Sequence, residues 1–266
     1  MTKLISVAAG APASGDRLPA AGLPKDFLSV LDFTPSDLRA CLDRAAEMKR
    51  DRATGKNQPG RILGGRHVAL LFEKPSLRTR VSFEIGMFQL GGHALYLGPK
   101  HIGLGKREPV EHAANVLSRM GNVLMARVFS HQTVVELATY SKVPVINGLS
   151  DLEHPCQILA DLMTMVEYKK RLTGLRVAFV GDGENNVTHS LALASGLLGI
   201  HFSVGSPKGF AMLPEIAMRA RVLARKYGGS IPAVIASGEN ARKQLETITG
   251  AADRINELEL EEAKLL

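Results

Sequence analysis

Two rhythms of apolar and polar residues alternate along this chain. Short apolar runs of strand length are followed by stretches in which apolar residues recur three and four apart, the spacing of one helix face. The first helix starts near Thr34, where Thr-Pro-Ser-Asp supplies an N-cap and then a proline at the first helical position. Leu38, Cys41, Leu42 and Ala45 repeat behind it at helical spacing, which makes Cys41 core filling. Strands are then predicted at His67–Phe72, Ala94–Leu97, Val123–Phe129 and Pro144–Ile146. Between them fall helices at Ser76–Leu90, Pro109–Arg119 and Thr133–Tyr140, and a long helical pattern runs from Pro155 to about Arg171. A second set begins at Arg176, with strands at Val177–Val180 and Phe202–Val204 and helices at Val187–Leu198 and Pro214–Lys226. Ile231–Ile235 reads as one more short strand, and the tail from about Glu239 is charged and helix-forming, with Gly250 as a weak point. Alternation of this kind predicts an α/β fold of two domains, each a parallel sheet flanked by helices. The 155–171 helix is the expected bridge between them.

Length and composition narrow the class. A chain of 266 residues, 45% apolar, suffices for two domains with real cores. Aromatic residues make up 5% and tryptophan is absent, so stacking on nucleic-acid bases is not the main business. The formal charge of +7 fits either a solubilising surface or a field that draws in anions. No long Lys/Arg run favours DNA or RNA. Two distant cysteines, Cys41 and Cys156, give no disulfide framework, and a reducing cytoplasm is the simplest compartment. No apolar run reaches the roughly 18–20 residues of a membrane span. The first 25 residues, rich in Ala, Gly and Pro, have neither a secretion signal's apolar core nor a transit peptide's arginines, and read as a loose arm.

Four places carry chemistry. Phe72-Glu73-Lys74-Pro75-Ser76-Leu77-Arg78-Thr79-Arg80 sits where a strand hands over to a helix. Free backbone N–H groups and the helix dipole favour an anion there. Ser76 and Thr79 add hydroxyls, and Arg78 adds a forked, charged donor. A bare Ser-x-Arg-Thr would be no more than a helix cap with surface arginines. Arg127 leaves the carboxyl end of a strand, where parallel sheets bind ligands, although alone it reads as a salt-bridged surface residue. In His154-Pro155-Cys156-Gln157 the histidine precedes a Pro-started helix and can donate to a carbonyl oxygen, while Gln157 can bond an amide. A lone histidine is more often structural, and Cys156 reads as packed. Gly181-Asp182-Gly183-Glu184-Asn185-Asn186-Val187 follows a strand, but the dinucleotide spacing fails at Asn186, which excludes a nicotinamide reading. Asn186 is left either to cap the helix or to bond the polar head of a small ligand.

Taken together these motifs resemble the ornithine carbamoyltransferases of the transcarbamylase family. The stretch from about Leu71 to Ser230 carries the likeness. It rests on Phe-Glu-Lys-Pro-Ser-Leu-Arg-Thr-Arg, Leu-Gly-Gly-His, Met-Ala-Arg-Val-Phe, Ile-Asn-Gly-Leu-Ser-Asp-Leu-Glu-His-Pro-Cys-Gln and Gly-Asp-Gly-Glu-Asn-Asn-Val, in that order. Leu77 replaces the family's usual threonine and costs one hydroxyl, not the backbone N–H. The resemblance implies a carbamoyl-phosphate-binding domain at 26–168 and an amino-acid-binding domain at 169–266, after an arm at 1–25. It implies a cleft site, a homotrimer, a cytoplasmic location, and the substrates carbamoyl phosphate and L-ornithine, with no metal or organic cofactor. Carried over, Ser76, Leu77 through its backbone, Arg78 and Thr79 hold the phosphate. Arg127 bridges phosphate and carbonyl, His154 and Gln157 hold the carbamoyl group, and Asn186 contacts ornithine. Arg127, His154 and Thr79 are the expected catalytic residues.

The motif likeness ends near Gly229-Ser230. The Ser-Met-Gly loop, the His-Cys-Leu-Pro segment and the later arginine of the family are not found, and no histidine follows His201 and no cysteine follows Cys156. The second domain is therefore expected to be incomplete and atypical after about residue 230. The alternatives are a carbamoyl-phosphate-binding remnant without catalysis, or a transcarbamylase for another amine.

Overall fold

The computed structural model describes residues 24–54 and 62–228. The N-terminal arm up to residue 23, the expected strand at Ile231–Ile235 and the tail from Glu239 lie outside the described residues.

The described chain opens with a 3-10 turn, Val30–Asp32, capped by Ser29. Helix α1 (Pro35–Ala53) starts as its sequence predicts. The Thr34 hydroxyl accepts the Asp37 N–H at 3.2 Å, and the Asp37 carboxylate accepts the Thr34 N–H at 2.9 Å, a reciprocal cap. Then come β1 (His67–Phe72), α2 (Leu77–Gln89), β2 (His93–Leu97), the short α3 (Pro99–Ile102) and α4 (Val110–Met120). They are followed by β3 (Val123–Arg127), α5 (His131–Tyr140) and β4 (Val145–Leu149). The four strands form one parallel sheet in the order β2-β1-β3-β4.

Both faces of that sheet are covered, which is why β1 reads as a continuous apolar run. Ala69, Leu71, Leu124 and Ala126 pack with Val110 and Ala114 of α4 and Val134 and Leu137 of α5. Val68, Leu70, Phe72 and Met125 face the other way, against Phe83 and Met87 of α2.

Helix α6 (Pro155–Lys169) leaves the sheet, packs on α1 and β4, and carries the chain to the second sheet. There β5 (Arg176–Val180) and β6 (His201–Gly205) run parallel, in register from Arg176 beside His201 to Val180 beside Gly205. Helix α7 (Asn186–Leu198) lies between them in sequence, and α8 (Pro214–Tyr227) follows. From Thr188 onward every residue of α7 is buried. Gly196 lets α8 close in, because a Cβ there would sit 2.7 Å from the Ala220 carbonyl.

The expected two-sheet α/β architecture joined by a long helix is thus present, and the boundaries shift for local reasons. Helix α5 starts at His131, two residues before the predicted Thr133, because Ser130 accepts the Gln132 N–H at 3.2 Å. Strand β3 ends at Arg127 rather than Phe129, and β4 runs on from Ile146 to Leu149. Pairing of Asn147 and Leu149 with β3 carries the strand on through Asn147 and Gly148, against the preference of those two residues.

Candidate active site

The site is built at the carboxyl ends of β1 and β3. Past Phe72, the Glu73 N–H donates to the Arg127 carbonyl at 2.8 Å, and the Glu73 carboxylate accepts the Phe129 N–H at 2.7 Å. Lys74 lies 4.5 Å from the centre of the Phe129 ring. These contacts fix the exit of β1 to the exit of β3. Two residues on, Ser76 caps α2: its oxygen accepts the Thr79 N–H at 3.4 Å, and its hydroxyl donates to Thr79 Oγ1 at 3.0 Å. The first-turn amides of α2 have no intrahelical acceptor, as at every helix start, and the dipole makes that end attractive to anions.

Arg127 reaches the same edge. The pairing of β3 with β4 slips here: Ala126 lies beside Asn147 and Arg127 beside Leu149, so Gly148 is skipped. A bulge of this kind turns a side chain out of the regular pleat. Arg127 Nε is buried with no hydrogen-bond partner. Burial, and then the neighbouring Arg78 charge, hold its guanidinium below the usual range. It stays charged at neutral pH all the same.

His154 arrives from the other side, at the N-cap of α6. Its N–H donates to Ser190 Oγ at 3.0 Å, and its ring Nδ1 is buried without a partner. Burial first, then the Arg127 charge, lower its pKa to about 4. The ring is therefore neutral at pH 7 and keeps a hydrogen-bonding nitrogen in reserve. Two arginines and a neutral histidine within electrostatic range of one another, beside a helix start, make a place where a bound anion relieves like-charge repulsion.

The remaining candidates are engaged within the protein. Gln157 is exposed one turn into α6, where its side-chain amide donates to Asp161 at 3.0 Å. Asn186 is not the cap of α7: that is Asn185, whose oxygen accepts the Val187 N–H at 2.8 Å. The Asn186 amide instead donates to the Ser150 carbonyl at 2.6 Å, tying α7 to the loop after β4. Gly183 packs tightly, because a Cβ would meet Ser206 Oγ at 2.5 Å and the Phe210 carbonyl at 2.8 Å. The loop is thus closed by residues 206–212. Burial pushes the Cys156 thiol up to about 12, which leaves it unreactive. Among the described residues no group of three His, Cys, Asp or Glu side chains could hold a metal ion.

The sequence reading missed Glu153, Ser150, Ser190 and Ser29. Glu153 is only 3% exposed, and Ser150 and Ser190 are fully buried. Their partners lie up to 124 residues away, so no local pattern shows them. The one available signal is an acidic residue wedged between Leu152 and the Pro-started helix.

A parallel α/β protein with arginines, a capped helix start and a neutral histidine at the carboxyl edge of its sheet belongs to the class that binds small anions at strand ends. The carbamoyl-phosphate-binding domain of the aspartate/ornithine carbamoyltransferases matches residues 25–167, and their Asp/Orn-binding domain matches residues 173–262. The chain belongs to the aspartate/ornithine carbamoyltransferase family. The second match runs on past Ser230, through the stretch in which the family's Ser-Met-Gly and His-Cys-Leu-Pro motifs are not found.

The ornithine carbamoyltransferase of Anoxybacillus flavithermus is 44% identical over 207 residues, which is 78% of this chain and 65% of that protein. That of Thermococcus kodakarensis is 47% identical over 206 residues, 77% of this chain and 64% of the relative. The solved ornithine carbamoyltransferase of Pyrococcus furiosus superposes with a TM-score of 0.76 at 44% identity, covering 80% of this chain and 67% of that one. The chain spans about 65% of the length of the first of these curated relatives.

Proposed function

We propose that this chain binds carbamoyl phosphate at the carboxyl edge of its four-stranded sheet and transfers the carbamoyl group to the side-chain amine of L-ornithine, giving L-citrulline and phosphate. The observation that carries this reading is the meeting of Arg78, Arg127 and the neutral His154 beside the capped start of α2. The names of the relatives supply the acceptor.

In this reading Ser76, Thr79, Arg78 and the Leu77 N–H hold the phosphate. The neutral amine of ornithine attacks the carbamoyl carbon, a tetrahedral oxyanion forms, and the C–O bond to phosphate breaks, the proton lost by the amine leaving on the phosphate. Arg127 bridges phosphate and carbonyl oxygen, and His154 and Thr79 donate to the developing oxyanion, an interaction strongest in the transition state. Gln157 holds the carbamoyl amide by turning away from Asp161, and the free oxygen of the Asn186 amide contacts ornithine. Residues 26–168 act as the carbamoyl-phosphate domain and 169–266 as the amino-acid domain.

The same reading makes the protein a cytoplasmic homotrimer serving arginine biosynthesis or arginine catabolism. Support for assembly comes from α2, in which no residue is buried. Leu77, Val81, Ile85 and Phe88 form an exposed apolar stripe along it, with Leu77 77% and Phe88 73% exposed. Among the described residues no helix is long and apolar enough to cross a membrane.

The test is citrulline formation by the full chain from carbamoyl phosphate and ornithine, with aspartate as the competing acceptor. Protein-dependent citrulline with ornithine alone supports the proposal. Carbamoylaspartate in its place would overturn the choice of acceptor. Binding of carbamoyl phosphate without turnover would reduce the chain to a binding protein.

A further inference from the structure

The loop from Ser150 to His154 is held by one face of α7. Asn186, His189 and Ser190, three and four residues apart, share that face. The Asn186 amide donates to the Ser150 carbonyl at 2.6 Å, and His189 Nδ1 lies 3.0 Å from the Leu152 carbonyl. Ser190 does two things at once. Its hydroxyl donates to Glu153 Oε2 at 3.0 Å, and its oxygen accepts the His154 N–H at 3.0 Å. On the far side the Glu153 carboxylate accepts the Ser29 hydroxyl and, at 3.3 Å, the Val30 N–H.

We propose that Glu153 and Ser190 are positioning residues for His154, setting the ring that holds the carbamoyl group; this rests on the function proposed above. A serine hydroxyl has one proton. With that proton committed to Glu153, a lone pair of Ser190 is turned to the His154 N–H. That bond fixes the backbone of His154 at φ −133°, ψ 67°, at the start of α6, and so fixes where its ring meets Arg127. A buried carboxylate costs desolvation that an apolar side chain of similar size would avoid. Here the carboxylate is met by three donors from two separate elements, and the network it completes ends on the backbone of a ligand-facing residue. Helix α7, from the second sheet, thereby sets a group that works on the first.

The experiment compares wild type, Ser190→Ala, Glu153→Gln and Glu153→Leu as full-length chains. Calorimetry measures inorganic phosphate and carbamoyl phosphate binding, and ¹⁵N-imidazole NMR follows His154, assigned with His154→Gln. Ser190→Ala should weaken carbamoyl phosphate about tenfold, the scale of one hydrogen bond to a charged group. Inorganic phosphate, held mainly by Ser76, Arg78 and Thr79, should change less than about twofold, within the usual limits for a site not itself altered. The His154 ring signals should move. Glu153→Gln keeps an acceptor for Ser190 and should stay near wild type, whereas Glu153→Leu should match Ser190→Ala. Unmoved His154 signals in folded Ser190→Ala, or equal weakening of both anions, would overturn the proposal. If wild type binds no carbamoyl phosphate, the function proposed above fails, while the His154 signals still decide the positioning role.

Discussion

The carboxyl edges of the two sheets differ in how their polar groups are used. At the four-stranded sheet, Arg127 Nε and His154 Nδ1 are buried with no partner, and two arginines sit near each other. At the two-stranded sheet most such groups are spoken for. Asp182 accepts the Glu184 N–H, Thr188 donates to the Asp182 carbonyl, and Asn186 donates to Ser150; Ser206 Oγ, pressed against Gly183, and His189 Nε2 and Ser195 Oγ of α7 are buried without a partner. Buried polar groups in folded proteins are nearly always satisfied, and what sets the first edge apart is that its open groups meet two arginines beside a helix start, ground shaped for an anion. The satisfied ones mark a joint. The first edge is organised to bind, and the described part of the second is organised to hold the first in place.

The sharpest way to break this contrast is Arg127→Ala. It should weaken carbamoyl phosphate binding by about 4 kcal/mol, the cost of truncating one side of a buried charged contact. Unchanged affinity by calorimetry would remove Arg127 from the site. The two sheets should also differ in stability. Leu124 is fully buried, and Leu124→Ala should cost about 3 kcal/mol in urea unfolding. Val180 in β5 is 43% exposed, and Val180→Ala should cost less than about 1 kcal/mol. Equal losses would mean that the second sheet is as firmly packed as the first.

The strand-helix alternation was legible because both faces of the first sheet are covered, and so its strands are apolar runs. Ser76, Arg78 and Arg127 were legible too, because a cap before a helix and a charge at a strand end are local patterns. Contacts that join distant parts were not. Asn186 was read as either cap or ligand contact, and its bond to Ser150 depends on how α7 docks. Gln157 was read as facing ligand, and its bond to Asp161 is a choice of rotamer. Glu153 gave no sign of being buried beyond its place between Leu152 and the Pro-started helix, since acidic residues almost never are unless paired. The short α3 escaped notice because four residues carry no periodicity.

Smaller effects refine the first edge. Arg78 is exposed, so Arg78→Ala should weaken carbamoyl phosphate binding by only about 2 kcal/mol, the low end for a charged contact. A loss matching that of Arg127→Ala would show that Arg78 becomes buried on binding. A further effect is on stability against pH. The pKa of His154 is about 4 in the folded chain, below its ordinary 6.5, so folding favours the neutral ring. That contribution is whole above pH 6.5 and is lost as the pH falls toward 4. Relative to His154→Gln, wild type should therefore lose stability across that window, as read from melting temperatures. Parallel curves would mean that the ring is solvated and not held against Arg127.

The central claim is that the first edge binds carbamoyl phosphate and delivers its carbamoyl carbon to ornithine. ¹³C NMR of carbamoyl-labelled carbamoyl phosphate, titrated with the full chain before and after adding ornithine, tests it most directly. The account predicts a shifted and broadened carbamoyl resonance on adding protein, absent with Arg127→Ala, and then a ureido carbon signal that grows only when protein and ornithine are both present. A carbamoyl resonance identical to that of the free compound, in the presence of folded wild-type chain, would contradict it.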